Sequence, residues 1–182
     1  RNTDAIIAID DEQCIALMRL FNEPEGREFL LGEGVSESVV TRLGDIGISC
    51  ICNVVAAVKL ARHFELGPRD VIFVPLTDSM ELYGSRLREQ TEIHGAYTRE
   101  LGARHFARWL EGAHTGDMRE LTHPDRKALH NLKYFTWVEQ QQRGVDELRQ
   151  LWDPDFWAET FAQVDEWDRL IEAFNREAGF AA

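Results

Sequence analysis

The sequence predicts an α/β protein: a parallel sheet with flanking helices, followed by a largely helical C-terminal extension. Three observations carry that expectation. Two short apolar runs, Ala5–Ile9 and Asp70–Leu76, have the length and β-branched content of strands. The chain between them has helical periodicity, and from Tyr97 onward helical spacing with aromatic anchors continues almost to the end. Strand, helix, helix, strand in that order implies parallel strands joined by crossovers.

Each element has its own justification. Ala5-Ile6-Ile7-Ala8-Ile9 is apolar throughout and closed by Asp10-Asp11, which reads as a buried strand with either aspartate capping the helix that follows. Cys14, Leu17, Met18 and Phe21 then recur at helical spacing, and Pro24 with Gly26 ends that element. Past the glycines at 32 and 34, Ser36 to Leu43 predicts a short capped helix and Gly44 to Gly47 a turn. Ile48 to Asn53 leads into Val54–Arg62, which is apolar nearly all round, so this helix is expected to be buried. Gly67-Pro68 terminates it, and Asp70-Val71-Ile72-Phe73-Val74-Pro75-Leu76 predicts a second buried strand running into Thr77-Asp78-Ser79. Beyond, Tyr97–Leu110, Asp125–Val138, Val145–Leu151 and Phe156–Phe174 carry helical periodicity around Trp109, Trp152 and Trp167. With no repeat and no Ser/Gly linker, the expected division is loose: 1–95 as an α/β part and 96–182 as a helical extension packed on it.

Composition excludes several function classes. At 182 residues, 44% hydrophobic and 29% charged, the chain can bury one real core. Twenty Lys and Arg against 32 Asp and Glu give a net charge of −12, which repels phosphate backbones and anionic lipid surfaces, so neither nucleic acid nor membrane is an expected partner. No stretch approaches the roughly 20 apolar residues that span a bilayer. Three cysteines, Cys14, Cys50 and Cys52, form no disulfide framework and suit a reducing compartment, the cytoplasm by default. The chain opens on Arg1 and meets an apolar run almost at once, as if cut from something longer.

In a parallel α/β sheet, ligands gather at the carboxyl ends of strands, and two segments have that address. Gly47-Ile48-Ser49-Cys50-Ile51-Cys52-Asn53 is a glycine turn at the mouth of a buried helix, either a backbone cradle for an anion or cofactor edge or an ordinary helix start with Ser49 as the capping oxygen. Thr77-Asp78-Ser79-Met80-Glu81-Leu82-Tyr83 brings polar groups to the point where an apolar strand stops, and such groups are commonly turn formers. Other constellations are weaker. Cys50-x-Cys52 is too tight for zinc and lacks a second pair, and the histidines show no ligand spacing, so no metal is expected. Lys59 sits within the buried-helix pattern, where its stem can pack while its amine reaches outward. His130 to Trp137 mixes polar and aromatic residues in a way that reads as packing between helices in preference to a pocket wall.

Taken in order, Asp4–Asp10, Gly47-Ile48-Ser49 and Asp70–Tyr83 resemble the C-terminal half of a pyridoxal-phosphate-dependent cysteine synthase or cystathionine β-synthase family enzyme, of tryptophan synthase β-like fold. That family carries Gly-Ile-Ser-Ser-Gly-Ala before a buried helix and Pro-Asp-Ser-Gly-Glu-Arg-Tyr after a strand. Here the counterparts are Gly47-Ile48-Ser49-Cys50-Ile51-Cys52 and Leu76-Thr77-Asp78-Ser79-Met80-Glu81-Leu82-Tyr83. The resemblance spans about half the chain, and the substitutions at Cys50–Cys52, Met80 and Leu82 mark a divergent branch. It implies pyridoxal 5′-phosphate as cofactor, with Ser79, Gly47 and Asp78 in contact with it. Ser79 would hydrogen-bond the pyridine nitrogen, and Ile48, Ser49 and Cys50 would line the substrate. It implies β-replacement or β-elimination on an amino-acid substrate such as serine, O-acetylserine or cysteine, and a homodimer.

The resemblance also implies what this stretch lacks. The Schiff-base lysine and the glycine-rich phosphate loop of that family lie upstream of the segment matching Arg1–Asp10, so no catalytic residue is expected in this chain. It would need the N-terminal half of the same enzyme, on the same or a separate chain, and be inactive alone. A reading from another class is a non-catalytic scaffold that binds a partner through Trp109, Trp137, Trp152, Trp157 or Trp167.

Overall fold

A computed structural model describes residues 1–180, and it is mostly helical. The chain runs β1 (Ala5–Ile7), α1 (Asp11–Asn22), α2 (Pro24–Gly32), α3 (Glu37–Arg42), α4 (Ile48–His63), α5 (Gly84–His94), α6 (Arg99–Phe106), β2 (Met118–Glu120), α7 (His123–Tyr134), α8 (Val145–Gln150), α9 (Pro154–Phe161) and α10 (Val164–Ala178). Single 3-10 turns occupy Leu43–Asp45 and Met80–Tyr83, and π-helical turns extend α6 over Ala107–Glu111 and α7 over Phe135–Gln140. Among the described residues, no helix is long and apolar enough to cross a membrane.

The parallel sheet with flanking helices, expected in tryptophan synthase β-like form, is corrected here. The sheet has two strands, β1 and β2, paired antiparallel: the Ala8 N–H donates to the Asp117 carbonyl at 2.9 Å and the Leu121 N–H to the Asp4 carbonyl at 2.8 Å. Asp70–Leu76 forms no strand at all. Val71 and Phe73 stand in solvent, 92% and 88% exposed, while Ile72 and Val74 are half-buried. The physical reason is that an apolar β-branched run favours extended backbone but does not supply a ladder partner, and a strand exists only where another backbone completes its hydrogen bonds. β1 is likewise less buried than its composition suggests, with Ile6 on the exposed side.

Two compact units can be described, one comprising Ile6–Arg119 and the other Arg1–Ala5 with the chain from Glu120. In the first, α1 is the central element. Asp10 caps it, its carboxylate accepting the Glu12 N–H at 2.9 Å, and the helix buries nearly all of its length from Gln13 to Phe21. Pro24 closes α1 and takes an early position in α2, where a missing N–H costs nothing. Gly26 is required there, since a Cβ would lie 2.3 Å from the Leu20 carbonyl oxygen. Leu17, Met18 and Leu20 pack with Phe29, Leu30, Val40, Ile51 and Val55 into one core, each such side chain contributing about 1.5–3 kcal/mol of transfer free energy.

Polar groups inside this unit are matched. Arg19 is buried, donates to the Gly95 carbonyl at 2.8 Å and pairs with Glu23 at 3.4 Å. Arg62, near the end of α4, reaches the carbonyls of Ala113 and Glu111, each at 2.7 Å, and so satisfies acceptors left open where the first π-helical turn ends. Lys59 is buried instead of reaching outward, its Nζ donating to the Ala8 carbonyl at 3.3 Å.

In the second unit, α7 begins with a capping box in which Thr122 and Asp125 bond each other's backbone. Burial is sparse there: α9 and α10 contain no buried residue.

Candidate functional site

The two segments singled out by their sequence meet at the start of α4. Gly47 is the N-cap, in extended backbone and buried, and its N–H donates to the Asp78 carbonyl at 3.1 Å. A Cβ on residue 47 would fall 2.6 Å from Asp78 Cγ and 2.7 Å from Tyr83 Cε2. Glycine is therefore what lets the 77–83 segment close over the helix end.

Asp78 is the hub of the arrangement. Its Oδ1 accepts from the Ser49 hydroxyl and from the Cys50 thiol, each at 2.8 Å, and its Oδ2 accepts the Tyr83 phenol. Cys50 also accepts the backbone N–H groups of Thr77 at 3.1 Å and Asp78 at 3.4 Å. Ser49 and Thr77 hydroxyls lie 3.2 Å apart, and the Asn53 amide donates to the Pro75 carbonyl at 3.0 Å. Ser49 is thus not the capping oxygen of α4. A carboxylate from another segment occupies that end of the helix, where the dipole favours negative charge.

This geometry fixes protonation. The Cys50 thiol first, then the Tyr83 phenol, and less strongly the Ser49 hydroxyl and the Cys50 backbone N–H hold Asp78 down to about 2 from an ordinary 3.8, against the opposing effect of burial. The same bond to Asp78 pushes Tyr83 up. Asp78 is therefore a permanent carboxylate and Tyr83 a permanent donor near neutrality. With its lone pairs engaged, Asp78 organises the loop and is a poor proton acceptor.

Ser79 follows directly. It is half-buried, precedes the 3-10 turn Met80–Tyr83, and its hydroxyl does not cap that turn. Its neighbour's carboxylate is held internally, which leaves the Ser79 hydroxyl as the polar group of this pair available to a ligand. Ile48 is half-buried and Ser49 exposed at the same helix mouth, whereas Cys50 is buried beneath it. Six residues marked from the sequence, Gly47, Ile48, Ser49, Cys50, Asp78 and Ser79, thus gather at one helix end. Sequence reasoning assigns no individual role to Tyr83, Thr77 and Asn53, yet Thr77 and Asn53 bond across the junction and Tyr83 donates to Asp78 from within the same segment. The signal for Tyr83 was its place five residues after Asp78, which a single tight turn brings back onto the carboxylate.

Among the described residues no cluster of His, Cys, Asp and Glu is arranged to hold a metal ion. The cysteines of the site are free thiols. Comparisons of the chain with protein families, with curated proteins and with solved structures find no match.

Proposed function

We propose that this chain is the C-terminal part of a pyridoxal-phosphate-dependent enzyme that makes or breaks a bond at the β carbon of an amino acid. The observation that carries the reading is the junction of Gly47–Cys50 with Thr77–Tyr83, in which Asp78 is locked by Ser49, Cys50 and Tyr83 while the adjacent Ser79 hydroxyl stays uncommitted. The reading rests on these residues and on no sheet architecture. Bound pyridoxal phosphate would supply the electron sink for charge developing at the substrate's α carbon. Ser79 would hydrogen-bond the pyridine nitrogen, and a neutral hydroxyl cannot protonate that nitrogen, which moderates the sink and suits β chemistry. Ile48 and Ser49 would border the amino-acid substrate, and Asp78 would act only by fixing the loop. The cofactor-bonding lysine and the phosphate loop would come from chain outside these residues, in the same polypeptide or a second one.

The test is the visible spectrum of the complete enzyme, as one chain or two, after adding pyridoxal phosphate and dialysing. A band that survives dialysis and is fixed by borohydride is expected. Protein that retains no cofactor would overturn the reading.

A second reading, a non-catalytic module that binds a partner, has one observation in its favour: α10 exposes Trp167, Leu170, Ile171 and Phe174 along one stripe. It predicts no retained cofactor and no dependence of any activity on Ser79.

A further inference from the structure

Cys14 and Cys52 lie on two helices of the Ile6–Arg119 unit that pack along their length, α1 and α4. Two contacts fix the register of that pair. Ahead of α1, the Ala8 carbonyl receives Lys59, which stands late in α4, at 3.3 Å. At the last residue of α1, the Asn22 Oδ1 lies 3.6 Å from where a Cβ on Gly44 would stand, just before α4. The helices therefore run antiparallel, and with equal rise per residue Cys14 comes level with Cys52 between the two anchors.

Side-chain direction completes the meeting. Cys14 belongs to the α1 face of Cys14, Leu17, Met18 and Phe21, and Cys52 to the α4 stripe of Ile48, Ile51, Cys52, Val55 and Lys59. Both thiols sit in one apolar cluster, Cys14 buried within it and Cys52 half-buried at its edge, and both are free. Burial first, then the charge and the hydrogen-bonding thiol of Cys52, push Cys14 up to about 12, so Cys14 stays protonated near neutrality. Cys52 is the sulfur of the pair that solvent reaches. Cys50 stands apart: two residues before Cys52 it points to another side of α4, and its thiol donates to the Asp78 carboxylate at 2.8 Å.

We propose that Cys14 and Cys52 are a reversible redox pair, which a hydroperoxide converts into an intramolecular disulfide. With hydrogen peroxide, the Cys52 thiolate attacks one oxygen, the O–O bond breaks, and the leaving hydroxide takes up a proton as water, so that Cys52 becomes a sulfenic acid. The Cys14 sulfur then attacks the Cys52 sulfur, the S–O bond breaks, and the departing hydroxide carries off the Cys14 proton as a second water. Two thiols lose two electrons and the peroxide gains them. A dithiol reverses the link by exchange and leaves as its own disulfide. The bond would tie α1 to the helix whose start carries the Gly47–Asp78 junction, and it does not depend on the function proposed for that junction.

The test is peptide mass spectrometry of the full chain, reduced, then treated with hydrogen peroxide, with free thiols blocked before digestion. A peptide pair joined through Cys14 and Cys52 is expected, two hydrogens lighter than its reduced parts and lost on adding dithiothreitol. Oxidised protein should unfold at a higher urea concentration than reduced protein, because a link between helices already packed together restricts mainly the unfolded chain. Cys52→Ser, at the half-buried position, should abolish the link and the rise in midpoint together. In Cys14→Ala, Cys52 lacks its resolving sulfur and should be trapped by dimedone as the sulfenic acid; should that buried variant fail to fold, the joined peptide and Cys52→Ser decide by themselves. Absence of the joined peptide, a link through Cys50 or between two chains in its place, or an oxidised protein with a lower urea midpoint would overturn the proposal.

Discussion

The Ile6–Arg119 unit and the unit that starts at Glu120 are both helical, yet they use their apolar residues in opposite ways. In the first, α1 is surrounded and its Leu17, Met18 and Leu20 are fully buried, with Arg19 inside as well because Gly95 and Glu23 receive it. In the second, α10 keeps Trp167, Leu170, Ile171 and Phe174 at the surface, and its ion pairs, Arg169 with Glu166 at 2.6 Å and Arg176 with Glu172 at 3.9 Å, are local and exposed. The difference teaches that amphipathic spacing specifies a helix but not its cover. The first unit holds itself together through side chains distant in sequence, whereas the second leaves apolar surface and an open cavity uncovered.

That contrast can be broken by mutation. Leu17→Ala should cost about 2–5 kcal/mol in urea denaturation, the range for emptying a packed site. Leu170→Ala on the α10 stripe should stay within about 0.5 kcal/mol in the same measurement. Comparable losses at both positions would mean that α10 is covered. Next in size, Gly47→Ala forces a methyl into Asp78 and Tyr83 and should cost about 1–3 kcal/mol, the scale of overpacking. It should also free Tyr83 from Asp78, visible as a fall in the phenol's spectrophotometric titration midpoint, because the bond to Asp78 is what raises it.

A smaller effect follows from Asp78 itself. Folded, it titrates at about 2, and unfolded near 3.8, so between those values the unfolded chain binds more protons. The stability it contributes is complete above about pH 4 and is lost as pH falls toward 2. Asp78→Asn should flatten that part of the stability profile, and an unchanged acid limb would refute the hub role of the carboxylate. Smallest is a difference in reactivity. Cys14 is buried, and burial with Cys52 beside it pushes its thiol up to about 12, whereas Cys52 is half-buried. Iodoacetamide on the native protein should label Cys52 and leave Cys14 intact, as read by peptide mass spectrometry.

Legibility in the sequence followed locality. α1 is legible because its cap, its apolar spacing and its proline stop lie within fifteen residues of one another, and α4 because its apolar spacing and the basic residues at its end lie within the single stretch Ile48–His63. α2 is not legible because Pro24 reads as a stop, when it also starts a helix, and α5 because Gly84–His94 has little apolar spacing and no buried residue. Asp70–Leu76 misled for the opposite reason: its composition is strongly strand-like, but composition cannot state whether a partner strand exists. Phe156–Phe174 reads as one helix and is two, broken at Ala162-Gln163 without a glycine or proline to announce it. At the candidate site, residue types were visible but their bonding was not. Asp78 reads as a polar group at a strand end, and its bonds from Ser49, Cys50 and Tyr83 are not legible in the sequence. His130 to Trp137 read as helix packing, whereas His130 and Phe135 line a cavity that Trp152 completes from beyond α8.

The role given to Ser79 admits the most direct measurement. In the complete enzyme loaded with pyridoxal phosphate, Ser79→Asp replaces a neutral hydroxyl with a carboxylate able to stabilise a protonated pyridine nitrogen. A shifted visible band and altered turnover are expected, with thermal stability close to that of the parent. A spectrum and turnover identical to the parent's would contradict the placement of Ser79 at the cofactor.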